Sequence, residues 1–251
     1  MSGSLRIGVL ALQGAFREHV QMLEGLGAEV VEVRLPEELA GLDGLVIPGG
    51  ESTTIMRLAR SYGLAEAIRA FQGAIFGTCA GMIVLDRAHL GLADLEVERN
   101  AYGRQVRSFE ADVELAGEKR PLHGVFIRSP RIHDAGAGVE VLGELDGEPV
   151  LVREGRLLLA SFHPELTDDS RVHELFLEMV EHTSRPVSGV RACPESGSGH
   201  LARTTHRDAA SSVAPIWLHI GAPCVLASRH VSRAIRGDHS PDRPLSLIPT
   251  H

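Results

Sequence analysis

Cysteine is scarce in this chain: 251 residues hold only Cys79, Cys193 and Cys224. Three scattered thiols make no disulfide framework, and a reducing cytoplasm is the expected home. Long apolar runs are also missing. None reaches the ~18 residues of a bilayer span, and Met1–Leu12 carries one Arg and no small-residue cleavage site. Neither a membrane anchor nor a signal peptide is therefore expected. The net charge is −8, which argues against general nucleic-acid binding. Internal repeats are absent, and so is the Walker pattern of a phosphate loop.

What is present suits a globular protein. The chain is 43% hydrophobic and 23% charged, enough apolar material for a sizeable core. Charge is unevenly spread: after residue 184 there are eight Arg and four Asp or Glu, so that part carries +4 and residues 1–184 carry −12. The length fits one large domain with an appendage. The expected division is a domain over 1–184 and an extension over 185–251. That extension mixes Ser, Arg, His and Pro without a sustained period and is expected to be disordered or loosely attached.

Residues 1–184 alternate two periods. Arg6–Leu10, Glu29–Val33, Gly44–Ile47 and Ala74–Phe76 read as strands. Between them, Phe16–Leu26 and a segment capped by Thr53 or Thr54 read as helices, with Gly27 and Gly63 as stops. Such alternation implies parallel strands with both sheet faces covered. From about Leu95 the pattern turns antiparallel: Leu95–Arg99, Val106–Leu115, Gly124–Ile127, then a hairpin of Glu148–Val152 and Arg156–Phe162 around Arg153-Glu154-Gly155. A helix from about Asp168 to Glu181 closes the domain, with Val172, Leu175, Phe176 and Met179 on one face. The expected fold class is α/β, a mostly parallel sheet flanked by helices with an antiparallel addition.

Three segments carry chemistry. Gly77-Thr78-Cys79-Ala80-Gly81 follows an apolar strand and precedes a helix, the cysteine counterpart of a nucleophile elbow. A helix N-terminus favours thiolate, and the next N–H, that of Ala80, can help to hold an oxyanion. A lone Cys is more often a buried core residue; the glycines on both sides and the strand-to-helix position reverse that reading. His163 ends the run Leu157–Phe162 and is followed by Pro164-Glu165, so a Pro-fixed turn can orient the imidazole against a carboxylate. Pro48-Gly49-Gly50-Glu51-Ser52 lies between a strand and a helix, and Gly50 with Ala80 is a candidate oxyanion hole.

In this order, these pieces resemble a class I, triad-type glutamine amidotransferase, a flavodoxin-like fold. More narrowly, the chain is similar to the glutaminase subunits of pyridoxal 5'-phosphate synthase. The match runs through Gly8–Gly14 with Arg17-Glu18-His19, Leu45–Thr54, Phe76–Gly81, Val97–Gln105, Gly124–Arg128 and Ser161–Thr167, covering about residues 5–183. Gly-Gly-Glu-Ser-Thr-Thr and Glu-Arg-Asn-x-x-Gly-Arg-Gln are specific to these subunits. The resemblance implies hydrolysis of L-glutamine by Cys79, His163 and Glu165. It implies a glutamine site of Gly50, Glu51, Ser52, Arg99, Ile127 and Arg128, in which Arg99 or Arg128 meets the substrate carboxylate and Glu51 its ammonium. The implied partner is the synthase subunit of a hetero-oligomer, which receives the ammonia; no cofactor and no metal are expected. Two departures stand out: Asp86–Leu92 looks shorter than these subunits have there, and the part after Arg185 has no counterpart.

Two other readings compete. A glutaminase of another amidotransferase, such as that of histidine biosynthesis, shares the triad but lacks the Glu-Arg-Asn segment. A silent scaffold subunit keeps the fold without turnover. The histidines of the extension lack metal-ligand spacing and its charge is modest, so a metal or nucleic-acid module there is disfavoured.

Overall fold

The computed structural model describes residues 4–99 and 108–184, all within the first of two units of the chain, Met1–Cys193. The expectations for 185–251, and for Asn100–Gln105 of the Glu-Arg-Asn segment, lie outside the described residues.

The first half alternates as expected: β1 (Arg6–Leu10), α1 (Phe16–Gly25), β2 (Glu29–Val33), β3 (Gly44–Ile47), α2 (Ser52–Ser61), α3 (Leu64–Ala70), β4 (Ala74–Thr78) and α4 (Ala80–Leu85). Gly27 (φ +86°) and Gly63 (φ +75°) take left-handed turns after α1 and α2, where other residues would be strained. The start of α2 differs from expectation. Its cap is Glu51, whose carboxylate accepts the N–H of Thr53 at 3.1 Å and of Thr54 at 2.7 Å. Thr53 and Thr54 stand inside the first turn, not at the cap.

The second half holds β5 (Leu95–Glu98), β6 (Phe109–Leu115), β7 (Leu122–Phe126), β8 (Arg131–Ala135), β9 (Glu140–Leu145), β10 (Glu148–Glu154), β11 (Leu157–Ala160) and α5 (Arg171–Ser184). The hairpin turn is Gly155-Arg156, because Glu154 pairs with Leu157. The short Asp86–Leu92 loop is closed on itself: Asp86 Oδ1 accepts the N–H of Ala88 at 2.9 Å and of His89 at 3.0 Å.

The main sheet runs in the order β2-β1-β3-β4-β11-β10-β9-β6-β7. Its first five strands are parallel and the rest antiparallel, while β5 and β8 form a separate antiparallel pair. Strand alternation sorts the core into two faces. Leu45, Ile47, Ile75, Leu157 and Leu159 pack with α2, α3 and α4, whereas Ile7, Val9, Val46, Phe76, Leu158 and Ala160 pack with α1 and α5. The carboxyl ends of β1, β3, β4 and β11 open at one edge, the place where such sheets build sites.

Candidate active site

Cys79 sits where β4 stops and α4 begins, with φ +47° and ψ −104°. A non-glycine residue tolerates this strained backbone only when its surroundings hold it. They do: its N–H donates to Ala160 O at 2.8 Å, and both flanking glycines are enclosed. A Cβ at Gly81 would stand 1.9 Å from Ile47 O, and one at Gly77 2.9 Å from the Gly81 backbone. The turn therefore requires glycine on each side. The thiol is free and buried, with Sγ 3.8 Å from Ile127 O.

β11 delivers His163 from the neighbouring strand end, and its N–H is held by Val125 O at 2.9 Å. Its Nδ1 lies 2.7 Å from Glu165 Oε1, and Pro164 begins the tight turn that brings the carboxylate back. Both side chains are buried. Burial alone would lower the His163 pKa, but the adjoining Cys79 and Glu165 outweigh it and raise it to about 10. For Glu165, burial pushes the pKa up, and His19 and His163 together reverse this and hold it low. Both shifts favour the charged forms, an imidazolium against an ionised carboxylate.

Gly49 fills the space between β3 and these groups. A Cβ there would lie 2.2 Å from His163 Cε1 and 3.3 Å from Cys79 Cβ. The strand segment is gripped from behind by the loop after β1: Gly49 O accepts the Ala15 N–H at 3.1 Å, and Gln13 Oε1 accepts the Glu51 N–H at 2.7 Å. The Gly50 N–H between them has no partner among the described residues. The Ala80 N–H, first in α4, lies outside the helix's own ladder.

Cys79, His163, Gly50 and Ala80 line one cavity of about 660 Å³, together with Glu51, Ser52, Arg99, Ile127 and Arg128. Glu165 alone among the expected site residues stands behind the wall. Arg99 and Glu51 meet at this wall. Arg99 Nη2 lies 2.6 Å from Ser52 Oγ and 3.4 Å from Glu51 Oε1. Glu51 is committed to its cap, and hydrogen bonds led by Thr54 take its pKa down to about 2. These two side chains hold each other. Arg128, exposed at the cavity with φ +48°, is the lining cation without such a commitment among the described residues.

Sequence reasoning missed three supporting residues. Gln13 and His19 lay inside the matched segments without a role, and Thr78 was only the neighbour of a nucleophile. No local pattern marks them, because their partners lie 29 or more positions away.

Comparison with known proteins gives the family. The family model of the SNO glutamine amidotransferase family matches residues 9–182. The chain belongs to that family. It is 56% identical over 186 residues to the pyridoxal 5'-phosphate synthase subunit PdxT of Niallia circulans, covering 70% of this chain and 98% of the relative. The PdxT of Thermus thermophilus is also 56% identical over 186 residues, covering 69% and 97%. A crystal structure of a glutamine amidotransferase superposes with a TM-score of 0.66 at 52% identity, covering 70% of this chain and 98% of that one. A GMP synthase protein of Thermoplasma acidophilum, at 17% identity, TM-score 0.59 and coverage of 72% and 96%, shares the fold. The family match thus stops just before the end of α5.

Proposed function

We propose that the chain hydrolyses L-glutamine to L-glutamate and ammonia with Cys79, His163 and Glu165, and passes the ammonia to a pyridoxal 5'-phosphate synthase subunit. The observation that carries the reading is the strained Cys79 lining a cavity together with His163, whose imidazole is 2.7 Å from the buried carboxylate of Glu165. Membership of the glutamine amidotransferase family and the likeness to PdxT proteins support the substrate and the partner.

The steps follow from the geometry. The Cys79 sulfur attacks the amide carbon, and the oxygen that becomes negative turns to the N–H groups of Gly50 and Ala80. His163 gives its proton to the departing nitrogen, which leaves as ammonia and a thioester remains. With the sulfur acylated, one of the two groups that kept the ring protonated is gone. The neutral ring then takes a proton from water, the hydroxide attacks the thioester, and glutamate and the thiol are restored. Glu165 fixes the ring's tautomer and opposes its charge throughout. Arg128 meets the substrate carboxylate, with the Arg99–Glu51 pair framing the other side. A reducing compartment keeps such a thiol in use, which fits the cytoplasm; no helix among the described residues is long and apolar enough to cross a membrane.

A glutamine analogue with a diazoketone in place of the amide tests the assignment. One label per chain on Cys79, absent in Cys79→Ala and protected by glutamine, is expected. Labelling of another residue, or none, contradicts it.

A further inference from the structure

His19, on the inward side of α1, and His173, on α5, are both fully buried. Their rings meet with His19 Nδ1 2.9 Å from His173 Nε2, and each stands edge-on to Phe76. The other nitrogen, His19 Nε2, lies 3.1 Å from Thr78 Oγ1 and 3.3 Å from Glu165 Oε2. Thr78 Oγ1 in turn accepts the Gly49 N–H at 3.0 Å. One imidazole therefore touches the carboxylate behind His163 and, through one hydroxyl, the strand that carries Gly50.

We propose that His19 is a positioning residue for glutamine hydrolysis, holding Glu165 against His163 and Thr78 against Gly49 around Cys79. The inference rests on the triad proposed above and adds a fourth member to it. An apolar side chain would fill the same space without the cost of burying polar rings. The unpaired atoms show what the ring does instead. Glu165 Oε1 is bonded to His163, whereas Oε2 has no hydrogen bond among the described residues, and His19 Nε2 stands beside it. His173 Nδ1 has no partner among them either.

These two vacancies select a proton arrangement. With the proton on His19 Nε2, the ring offers a donor to the ionised carboxylate and accepts the His173 Nε2–H at Nδ1. His173 Nδ1 is then a bare lone pair, which is cheaper to bury than an unpaired N–H beside an undonated carboxylate oxygen. With the proton on His19 Nδ1, both faults arise together. His173 thus sets the tautomer of His19, as Glu165 sets that of His163. The groups facing His19 are Glu165 and His163 from the turn after β11, His173 from α5, Thr78 from β4 and Glu18 on its own helix. Burial lowers the pKa of His19, against the opposite pull of Glu165, and takes that of His173 to about 3, so the neutral forms are favoured and the chief part of the ring is orientation.

The test replaces His19 in the full chain, assayed with a synthase subunit present. His19→Leu is expected to lower kcat by about tenfold or more, the usual loss when an orienting partner is removed, with KM within about twofold. The His163 titration, followed by NMR of its ring proton, moves down because Glu165 is no longer held. His19→Gln, whose amide reaches the Nε2 position, restores most of kcat, whereas His19→Asn, which reaches only Nδ1, does not. A folded His19→Leu with kcat and His163 titration unchanged overturns the proposal. If His19→Leu does not fold, equal kcat in the Gln and Asn variants overturns it. A Cys79→Ala control separates the two readings: turnover in that control sinks the triad itself, whatever His19 does.

Discussion

The Ile127 carbonyl oxygen lies 3.8 Å from the Cys79 sulfur, and the peptide that carries it leads into Arg128 at φ +48°. Two residues with positive φ therefore line one cavity, Cys79 with its thiol and Arg128 with a guanidinium uncommitted among the described residues. Strain at Arg128 is the cost of aiming both the carbonyl and the guanidinium into the site. Arg128→Gly separates these effects. Relief of the left-handed backbone is expected to stabilise the fold by up to about 1 kcal/mol, seen as a rise in Tm. Loss of the charged contact raises KM for glutamine by about tenfold or more. Tm and KM rising together would support the account; an unchanged KM rules against Arg128 as the carboxylate anchor.

Gly49→Ala is the second prediction. The new methyl would stand 2.2 Å from His163 Cε1, and His163 cannot retreat without leaving Glu165. A displacement of this size costs about 100-fold in kcat, while the peptide remains part of a well-packed strand end. A steady-state assay beside a thermal melt checks this. Full activity would mean that the imidazole has room the structure does not give it.

The histidine cluster makes stability depend on pH with two opposite slopes. His163 is raised to about 10 from 6.5. Its stabilisation is complete below pH 6.5 and is lost as the pH rises through about 10. His19 is lowered, and His173 is lowered to about 3 from 6.5. Their burial as neutral rings costs nothing to titration above pH 6.5, and stability falls as the pH drops below it. The cluster's contribution therefore peaks near pH 6.5. Melting curves across pH should lose the alkaline slope in His163→Gln and part of the acid slope in His173→Leu. Slopes equal to the parent's in both variants would remove the cluster from the stability of the protein.

Removing residues 186–251 is expected to leave Tm and glutamine turnover unchanged. The family match ends at residue 182 and α5 at Ser184. The PdxT of Niallia circulans is matched over 98% of its own length by 70% of this chain. A fall in Tm of more than about 4 °C, on the order of 1 kcal/mol or more for a domain of this size, would assign the extension a part in the fold.

Much of this was legible in order along the chain. The five parallel strands announce themselves by short apolar or Val-rich runs, and Cys79 and His163 stand just past the ends of two of them. Strands β8 and β9 were not legible. Ile132 is the one buried residue of β8, and β9 buries only Gly143, so neither has the apolar alternation that marks a half-buried strand. Seven-residue α3 is too short to show a period, and Gly63 reads as a stop although it also starts the next helix. The capping role of Glu51 was hidden because Thr53 and Thr54 are the commoner caps. His19 was invisible for a different reason. Its partners come from β4, α5 and the turn after β11, and only the folded sheet brings them to one point.

Glutamate release from glutamine by the purified chain, with and without a pyridoxal 5'-phosphate synthase subunit, tests the central claim most directly. The account predicts release that rises when the synthase is present and vanishes in Cys79→Ala. Release that survives Cys79→Ala, or none in either condition, would contradict it.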